Sequence, residues 1–312
     1  MKEYVLNYYP LFKCVAEKCN HTCCAGWEIS IDSQSLTKYK ENYSDFSSRL
    51  KRGINFRKSK FKSDKSKRCA FLNDKGLCEI IINLGENELC QVCRDHPRFR
   101  SFFNDRIETG LGFCCEESAK IILSFKEKIK PQLISEDKNQ NVVDFNQKNV
   151  LEFREKALKL LQNRTLDIND RIESLLNLCN TNFFECDFSK ILKTFLSFER
   201  CDKSWTKVLK SISLNFTNTT EKDLSLYCEQ FLVNSLYRHL SDAEDTIWVR
   251  ARTIACIFSW WIIKSIISLK HIKDEDLLGV TVDAVRNFST EVEYSQKNLN
   301  KLFSFCYKFI KI

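Results

Sequence analysis

Residues 14–24 read CVAEKCNHTCC, which places Cys14, Cys19, Cys23 and Cys24 within eleven residues. Thiols at such short spacing form a ligand set, because they can close on one soft metal or on an iron-sulfur cluster without long loop closures. The theme returns at Cys69, Cys78, Cys90, Cys93, Cys114 and Cys115, so ten of the 16 cysteines lie between residues 14 and 115. Sets of four cysteines serve zinc and iron-sulfur centres alike, and spacing leaves both open. His21 and His96 lie close to cysteines and read first as loop hydrogen-bonding residues rather than as ligands.

The rest of the chain sets the context. With 43% apolar residues and 24 phenylalanines, 312 residues suffice for one large core or two moderate ones. The N-terminus shows no basic region leading into an apolar stretch, so a cytoplasmic protein is expected. In a reducing compartment the adjacent pairs Cys23-Cys24 and Cys114-Cys115 read as metal ligands rather than as disulfide partners. Ile254–Leu269 is apolar but short for a bilayer and contains Lys264, so it is expected to be a buried core helix, with no membrane role. The net charge of +8 is concentrated in residues 49–68, where ten Lys and Arg face the single Asp64. That stretch reads as a solvated loop rather than a dedicated binding surface, and no nucleic-acid role is expected.

Along the chain, Trp27, Ile29 and Ile31 alternate with polar residues as a short strand does, and Asp32–Ser35 offers a cap for a following helix. Residues 69–78 read as a hairpin turning at Asn73–Gly76. Arg106 to the cysteine pair reads as a strand, followed by a helix over residues 118–130 that Pro131 closes. Beyond residue 132 there is no proline and only Gly279, and apolar residues recur at helical spacing. The terminal stripe Leu299, Leu302, Phe303, Cys306, Phe309 and Ile310 is introduced by a candidate capping box, Thr290 with Glu293. The fold class predicted is mainly α: a small cysteine-rich α+β module with short strands over residues 1–130, then an all-helical bundle over 131–312. Cys179, Cys186, Cys201, Cys228, Cys256 and Cys306 lie singly among those helices and read as small hydrophobes.

An ordered string carries a resemblance. Cys14 to Cys24, Gly26-Trp27-Glu28-Ile29, Cys69-Ala70-Phe71-Leu72, Leu77-Cys78-Glu79-Ile80, Leu84-Gly85-Glu86, Leu89-Cys90-Gln91-Val92-Cys93, His96-Pro97-Arg98 and Cys115-Glu116-Glu117 together resemble the flagellin lysine N-methylase family. That family falls within the wider group of zinc- or iron-chelating cysteine-cluster proteins with a CxxCxxCC signature. The resemblance implies an iron-sulfur cluster, most simply 4Fe-4S with zinc as the alternative. It also implies methyl transfer from S-adenosylmethionine to lysines of flagellin or of another protein or peptide partner.

Neither common donor framework is visible. Glu108-Thr-Gly-Leu-Gly-Phe is the only approach to a Rossmann glycine loop, and the CxxxCxxC loop of radical S-adenosylmethionine enzymes is interrupted by Gly26. Chemistry at a lysine amine needs a carboxylate to hold or deprotonate an ammonium whose pKa is about 10.4. Glu116 and Glu117 are the nearest candidates, although acids there also suit the first turn of a helix. Arg94 and Arg98 are candidates to grip a donor carboxylate or to balance an anionic thiolate cluster. A non-catalytic, zinc-stapled interaction module is the alternative of another class.

Overall fold

The computed structural model describes residues 1–311 except 66, 137–144, 182–185, 213–220 and 271–275, with side chains left out at 17, 145–146 and 221–223. The chain forms two compact units. One comprises Met1–Phe12, Phe99–Cys114 and Ser118–Ile312, and the other Lys13–Arg98 with Cys115–Glu117.

The larger unit is built on a helix that is apolar almost all round. α11 (Thr246–Lys270) buries Ile254, Ile257, Phe258, Ile262, Ile263 and Ile266 among other residues, and packs against α6 (Phe145–Leu161), α7 (Ile168–Leu178), α9 (Lys203–Ser211), α10 (Glu221–His239), α12 (Leu277–Phe288) and α13 (Gln296–Tyr307). A helix without a polar face must be enclosed, and 72% of its most apolar window is buried inside the protein. α8 (Phe188–Leu196) completes the bundle against α9 and α13. The expected core helix is therefore present, longer than its apolar run.

This unit also contains a four-stranded sheet in the order β4-β5-β1-β6, formed by β1 (Lys2–Leu6), β4 (Arg98–Phe102), β5 (Arg106–Leu111) and β6 (Pro131–Glu136). β1 runs parallel to β5, with Lys2 opposite Arg106, and antiparallel to β6, with Leu6 opposite Pro131. Tyr8 fastens sheet to bundle: its hydroxyl donates to Asn234 and accepts from the Leu111 N–H at 3.2 Å, while Asn234 donates to the Leu111 carbonyl at 3.1 Å. Residues 131–136 thus depart from the helices expected beyond residue 132. Pro131 costs the ladder nothing at the first position of an edge strand, and the partner β1 lies more than a hundred residues away, beyond any local pattern.

Three buried carboxylates are neutralised inside this unit. Glu108 pairs with Arg154 at 2.7 Å, and Glu229 takes Arg164 at 2.8 Å and Arg171 at 2.9 Å. Glu293 takes Arg238 at 3.2 Å, His239 at 2.9 Å and the Ser289 hydroxyl. The candidate capping box is corrected here. Ser289–Glu293 is a π-helical turn that swings Glu293 inward, and Ser295 caps α13 by accepting from the Asn298 N–H. The inward charge partners outcompete a cap.

The smaller unit carries α1 (Ser33–Lys40), α2 (Ser47–Gly53), β2 (Ile54–Asn55), β3 (Lys60–Phe61), α3 (Glu79–Leu84) and α4 (Gln91–Asp95) around Ile29, Ile31, Tyr39, Leu50, Ile54, Phe61, Phe71, Ile80 and Cys90. Residues 27–31 make one bridge, Ser30 to Lys60, rather than a strand. The basic stretch is more ordered than a solvated loop. It forms α2 and the β2-β3 pair, and its backbone is tied by Lys62 N–H to Gly53 C=O at 2.8 Å and Gly26 N–H to Lys67 C=O at 3.1 Å. Gly53 is required at its position because a Cβ there would sit 2.3 Å from the Phe71 ring. The hairpin turns where expected: Asn73 bonds Leu77 and Gly76, and Gly76 adopts a φ of +74°.

Candidate metal centre

None of the 16 cysteines is in a disulfide, and folding brings most of them into three sets. In the smaller unit Cys69, Cys78, Cys90 and Cys93 pack against one apolar cluster. Local backbone aims N–H groups at their sulfurs. The Phe71 N–H reaches Cys69, those of Ile81 and Ile80 reach Cys78, and that of Cys93 reaches Cys90. Cys78 and Cys90 stand at the N-caps of α3 and α4, which is how two short helices present those donors. Such bonds stabilise thiolate over thiol and are the usual outer support of metal-bound sulfur.

Asp32 holds this arrangement from behind. One carboxylate oxygen accepts from the Ser35 N–H at 2.9 Å and caps α1, while the other accepts from the Gln91 N–H at 2.8 Å and starts α4 beside Cys90. Burial pushes Asp32 up, but those N–H bonds outweigh it and hold the carboxyl at about 2. The sequence offered Asp32 only as the first of these caps.

Cys24 joins this set through the backbone, since its carbonyl accepts from the Cys69 N–H at 2.8 Å and Ala25 bridges Arg68. The thiol of Cys23 donates to Cys24. That bond, with Thr22 and Arg68 and against burial, draws Cys24 down to about 7 and pushes Cys23 up. Cys93 donates likewise to Cys90, lowering Cys90 and raising itself. Burial pushes Cys69 up to about 12, and the nearby Cys24, Cys78 and Cys90 add to the effect.

A second set gathers around Glu116. Its carboxylate accepts from the Asn20 side-chain amide at 2.9 Å and from the His21 N–H at 3.1 Å, which clips the Cys19–Cys23 loop to the residue that follows Cys115. Burial pushes Cys19 up to about 11, and the neighbouring Cys115, Glu116 and Cys14 push in the same direction. Trp27 donates to the Cys23 carbonyl at 2.8 Å and stacks on His96 with ring centroids 6.3 Å apart.

Cys114 is not one of these nine thiols. It belongs to the larger unit, where its sulfur donates to the Tyr294 hydroxyl at 2.7 Å, beneath the Arg238 guanidinium that lies 5.2 Å over the tyrosine ring. The third set is in the helices. Cys179, Cys256 and Cys306 are buried and lie near enough that Cys256, Cys186 and Cys179 all push the Cys306 thiol up, after burial itself. These cysteines are not solitary, as their scattered positions suggested, although their apolar surroundings keep them as protonated small hydrophobes.

Among the described residues, no three His, Cys, Asp or Glu side chains converge closely enough to hold a single metal ion as they stand. In donor chemistry the first set fits a thiophilic group: soft sulfurs, N–H support and an apolar wall. Arg94, Arg98 and Glu116 are in structural use. Arg94 reaches the Asn87 carbonyl at 3.3 Å and Gln91 at 2.9 Å, and Arg98 reaches the Arg94 carbonyl at 3.0 Å. Glu116 and Glu117 form the first turn of α5 (Glu116–Ser124), a shorter helix than the one expected over 118–130. Glu108-Thr-Gly lies in β5 with Glu108 buried against Arg154, so that segment is strand and not a phosphate-binding loop.

Comparison with known proteins gives three relatives. The chain is 25% identical over 123 residues to flagellar biosynthetic protein FliU of Salmonella muenchen, which is 36% of this chain and 72% of that protein. It is 25% identical over 137 residues to a lysine-N-methylase of Salmonella typhimurium, 40% of this chain and 34% of that enzyme. A lysine-N-methylase of Salmonella choleraesuis shows 25% identity over 123 residues, 36% of this chain and 30% of the enzyme. The match thus spans about a third of each lysine-N-methylase. No family model and no solved structure matches the chain.

Proposed function

We propose that this protein is an S-adenosylmethionine-dependent protein-lysine N-methylase acting on flagellin, with an iron-sulfur cluster, most simply 4Fe-4S, held by Cys69, Cys78, Cys90 and Cys93. The similarity to the lysine-N-methylases carries the reaction class. The N–H bonds to Cys69, Cys78 and Cys90 support the cluster assignment. When bound, such a cluster supplies redox capacity and a Lewis-acidic iron.

The chain's own residues define the remaining roles. Four thiols give up their protons to become ligands, and the N–H donors at Phe71, Ile80, Ile81 and Cys93 take the place of water around the resulting negative sulfur. Asp32 fixes the spacing of Cys90 and Cys93 by starting α4. Glu116 commits both oxygens to the Cys19–Cys23 loop, which leaves Glu117 as the carboxylate of that turn available to an incoming lysine ammonium. An amine must lose its proton before it can attack a methyl group, so turnover is expected to rise with pH below about 10.

The test is anaerobically purified protein incubated with S-adenosylmethionine and flagellin, followed by mass spectrometry of the flagellin. A methyl increment on lysines is expected, and Glu117→Gln should reduce it while leaving bound iron unchanged. Unmodified lysine with an intact cluster rejects the methylase reading, and a new mass on a different peptide redirects the substrate. A colourless protein that carries stoichiometric zinc and no iron points instead to the interaction module.

A further inference from the structure

Backbone bonds turn the basic stretch of the smaller unit into a fixed array of cations. β2 and β3 pair Asn55 with Lys60, and the Asn55 side chain closes the turn between them by accepting from the Lys58 N–H at 3.2 Å. The same turn is held from its other side, where the Phe61 N–H donates to the Ile29 carbonyl at 3.0 Å and the Ile31 N–H to the Ser59 carbonyl at 2.7 Å. Asp64 closes the following turn: its carbonyl accepts from the Lys67 N–H and its carboxylate from the Arg68 N–H, both at 3.0 Å. Gly26 ties that turn down by donating to the Lys67 carbonyl at 3.1 Å. Ser59 and Lys67 adopt φ of +48° and +58°, a left-handed backbone that side chains disfavour and that these bonds enforce.

The two turns converge on one carboxylate. Lys60 pairs with Glu28 at 2.7 Å, Lys58 and Lys67 lie near enough to act on the same side chain, and together they hold it below the usual carboxylate range. Glu28 is 74% exposed, so a single surface acid sits among three lysines drawn from two turns. Lys51, Arg52, Arg57, Lys62 and Lys65 add exposed cations on the same segment. The imbalance is local: of 49 Lys and Arg and 41 Asp and Glu, residues 49–68 take ten and one, which leaves the rest of the chain with 39 against 40. A surface that serves solubility intersperses the two signs, as that remainder does.

We propose that Lys58, Lys60 and Lys67 form a docking point for an acidic segment of a protein partner, whose carboxylates displace Glu28 from among them. The proposal deepens the function given above and rests on it for one point, that this partner is the protein substrate. Lysine ammoniums are point charges on long stems and suit carboxylates spread along a peptide. Single-stranded nucleic acid calls for exposed rings on which bases stack, and within this stretch Phe61 is buried while Phe56 is half-buried with Lys40 6.0 Å over its ring. Because both turns are already fixed, little backbone has to be ordered when a partner arrives.

The experiment uses the full chain with its native metals and follows the fluorescence anisotropy of a labelled poly-glutamate peptide at low and high salt. Binding is expected at low salt and should weaken as salt rises. The double variant Lys58→Gln, Lys67→Gln should weaken it roughly fivefold. Lys148→Gln with Lys159→Gln removes the same net charge from exposed positions on α6 and should change it by less than about twofold. Glu28→Gln should tighten binding, because the resident acid no longer competes. Absence of binding, equal loss in the two double variants, or no gain from Glu28→Gln overturns the docking point, and tighter binding of an oligothymidine than of poly-glutamate overturns its assignment to protein. In a methyl-transfer assay on flagellin the Lys58 and Lys67 variant should raise KM with kcat unchanged, and an unchanged KM overturns the identity of the partner as substrate. Failure of the methylase reading looks different: no transfer by the wild-type protein, with poly-glutamate binding and its dependence on Lys58 and Lys67 intact.

Discussion

The two units solve the problem of stability by opposite means. In the larger unit a continuous apolar core runs from Leu6 to Ile310 and encloses α11 on nearly all sides. The smaller unit has a core of nine buried residues, among them Cys90, and short elements, the longest being the eight residues of α1. Domains with so little apolar burial ordinarily need a disulfide or metal staple, and here no cysteine is in a disulfide. One unit is held by what it excludes from water; under the proposed function the other would be held by what its sulfurs bind.

The largest expected effect tests that division directly. Stripping metal, or replacing Cys69 and Cys93 together by serine, should remove on the order of 10 kcal/mol of folding free energy from the smaller unit. Amide hydrogen exchange should then show protection lost over residues 13–98 and retained in α10 and α11. Equal loss in both units would break the comparison, because it would make the helical core depend on the thiolates as well.

How much of this was legible follows the same line. The helical half could be read because its signal is local: apolar residues at helical spacing, without proline and with Gly279 alone, leave few alternatives to helices. The cysteine positions were equally visible, as was the hairpin at Asn73–Gly76. What could not be read was pairing at a distance. β6 is a strand only because β1 lies beside it, Glu116 takes Asn20 and His21 of the Cys19–Cys23 loop, and Asp32 serves α4 as well as α1. Each depends on two segments far apart in sequence, and neither segment carries a periodic mark of the other. The same limit explains Glu293, whose spacing from Thr290 fits a capping box while its charge is satisfied by Arg238 and His239 on α10.

Glu293 supplies an effect of intermediate size, confined to the helical unit. Burial pushes its carboxyl up, but Arg238, His239 and Ser289 together hold it down at about 2, against an ordinary 4.5. A carboxylate depressed on folding stabilises at pH values above its unfolded pKa, and that contribution drains away as pH falls through the folded value. The helical unit should therefore lose roughly 3 kcal/mol between about pH 4.5 and 2 from this group. Thermal melts across that window should be flatter for Glu293→Gln than for the native protein, although the variant is less stable at neutral pH because Arg238 keeps a buried charge without its partner. An identical slope in the variant would assign the acid sensitivity to other groups.

The smallest effect is expected where the sequence shows the strongest charge. Residues 49–68 hold ten cations, yet the structure divides them by what they touch. Arg49 is half-buried, pairs with Glu79 at 2.6 Å and lies 5.0 Å over the Phe71 ring, so it belongs to the core of its unit. Lys58, Lys62, Lys65 and Lys67 are exposed, and Lys60 pairs with a Glu28 side chain that is 74% exposed. The backbone bonds that order this stretch, from Lys62 to Gly53 and from Gly26 to Lys67, do not depend on the lysine side chains. Changing Lys58, Lys60, Lys62, Lys65 and Lys67 together to glutamine loses one screened ion pair and relieves repulsion among the remainder, so the unit should shift by less than about 1 kcal/mol. Metal content should be unchanged. Arg49→Gln alone, which removes a half-buried partner from Glu79, should cost more than all five together, by about 1–3 kcal/mol. Urea melts of the two proteins in 0.05 and 0.5 M salt make the comparison: a fivefold variant that unfolds more readily than Arg49→Gln would mean that the lysine heads, and not the backbone beneath them, hold this part of the cysteine unit.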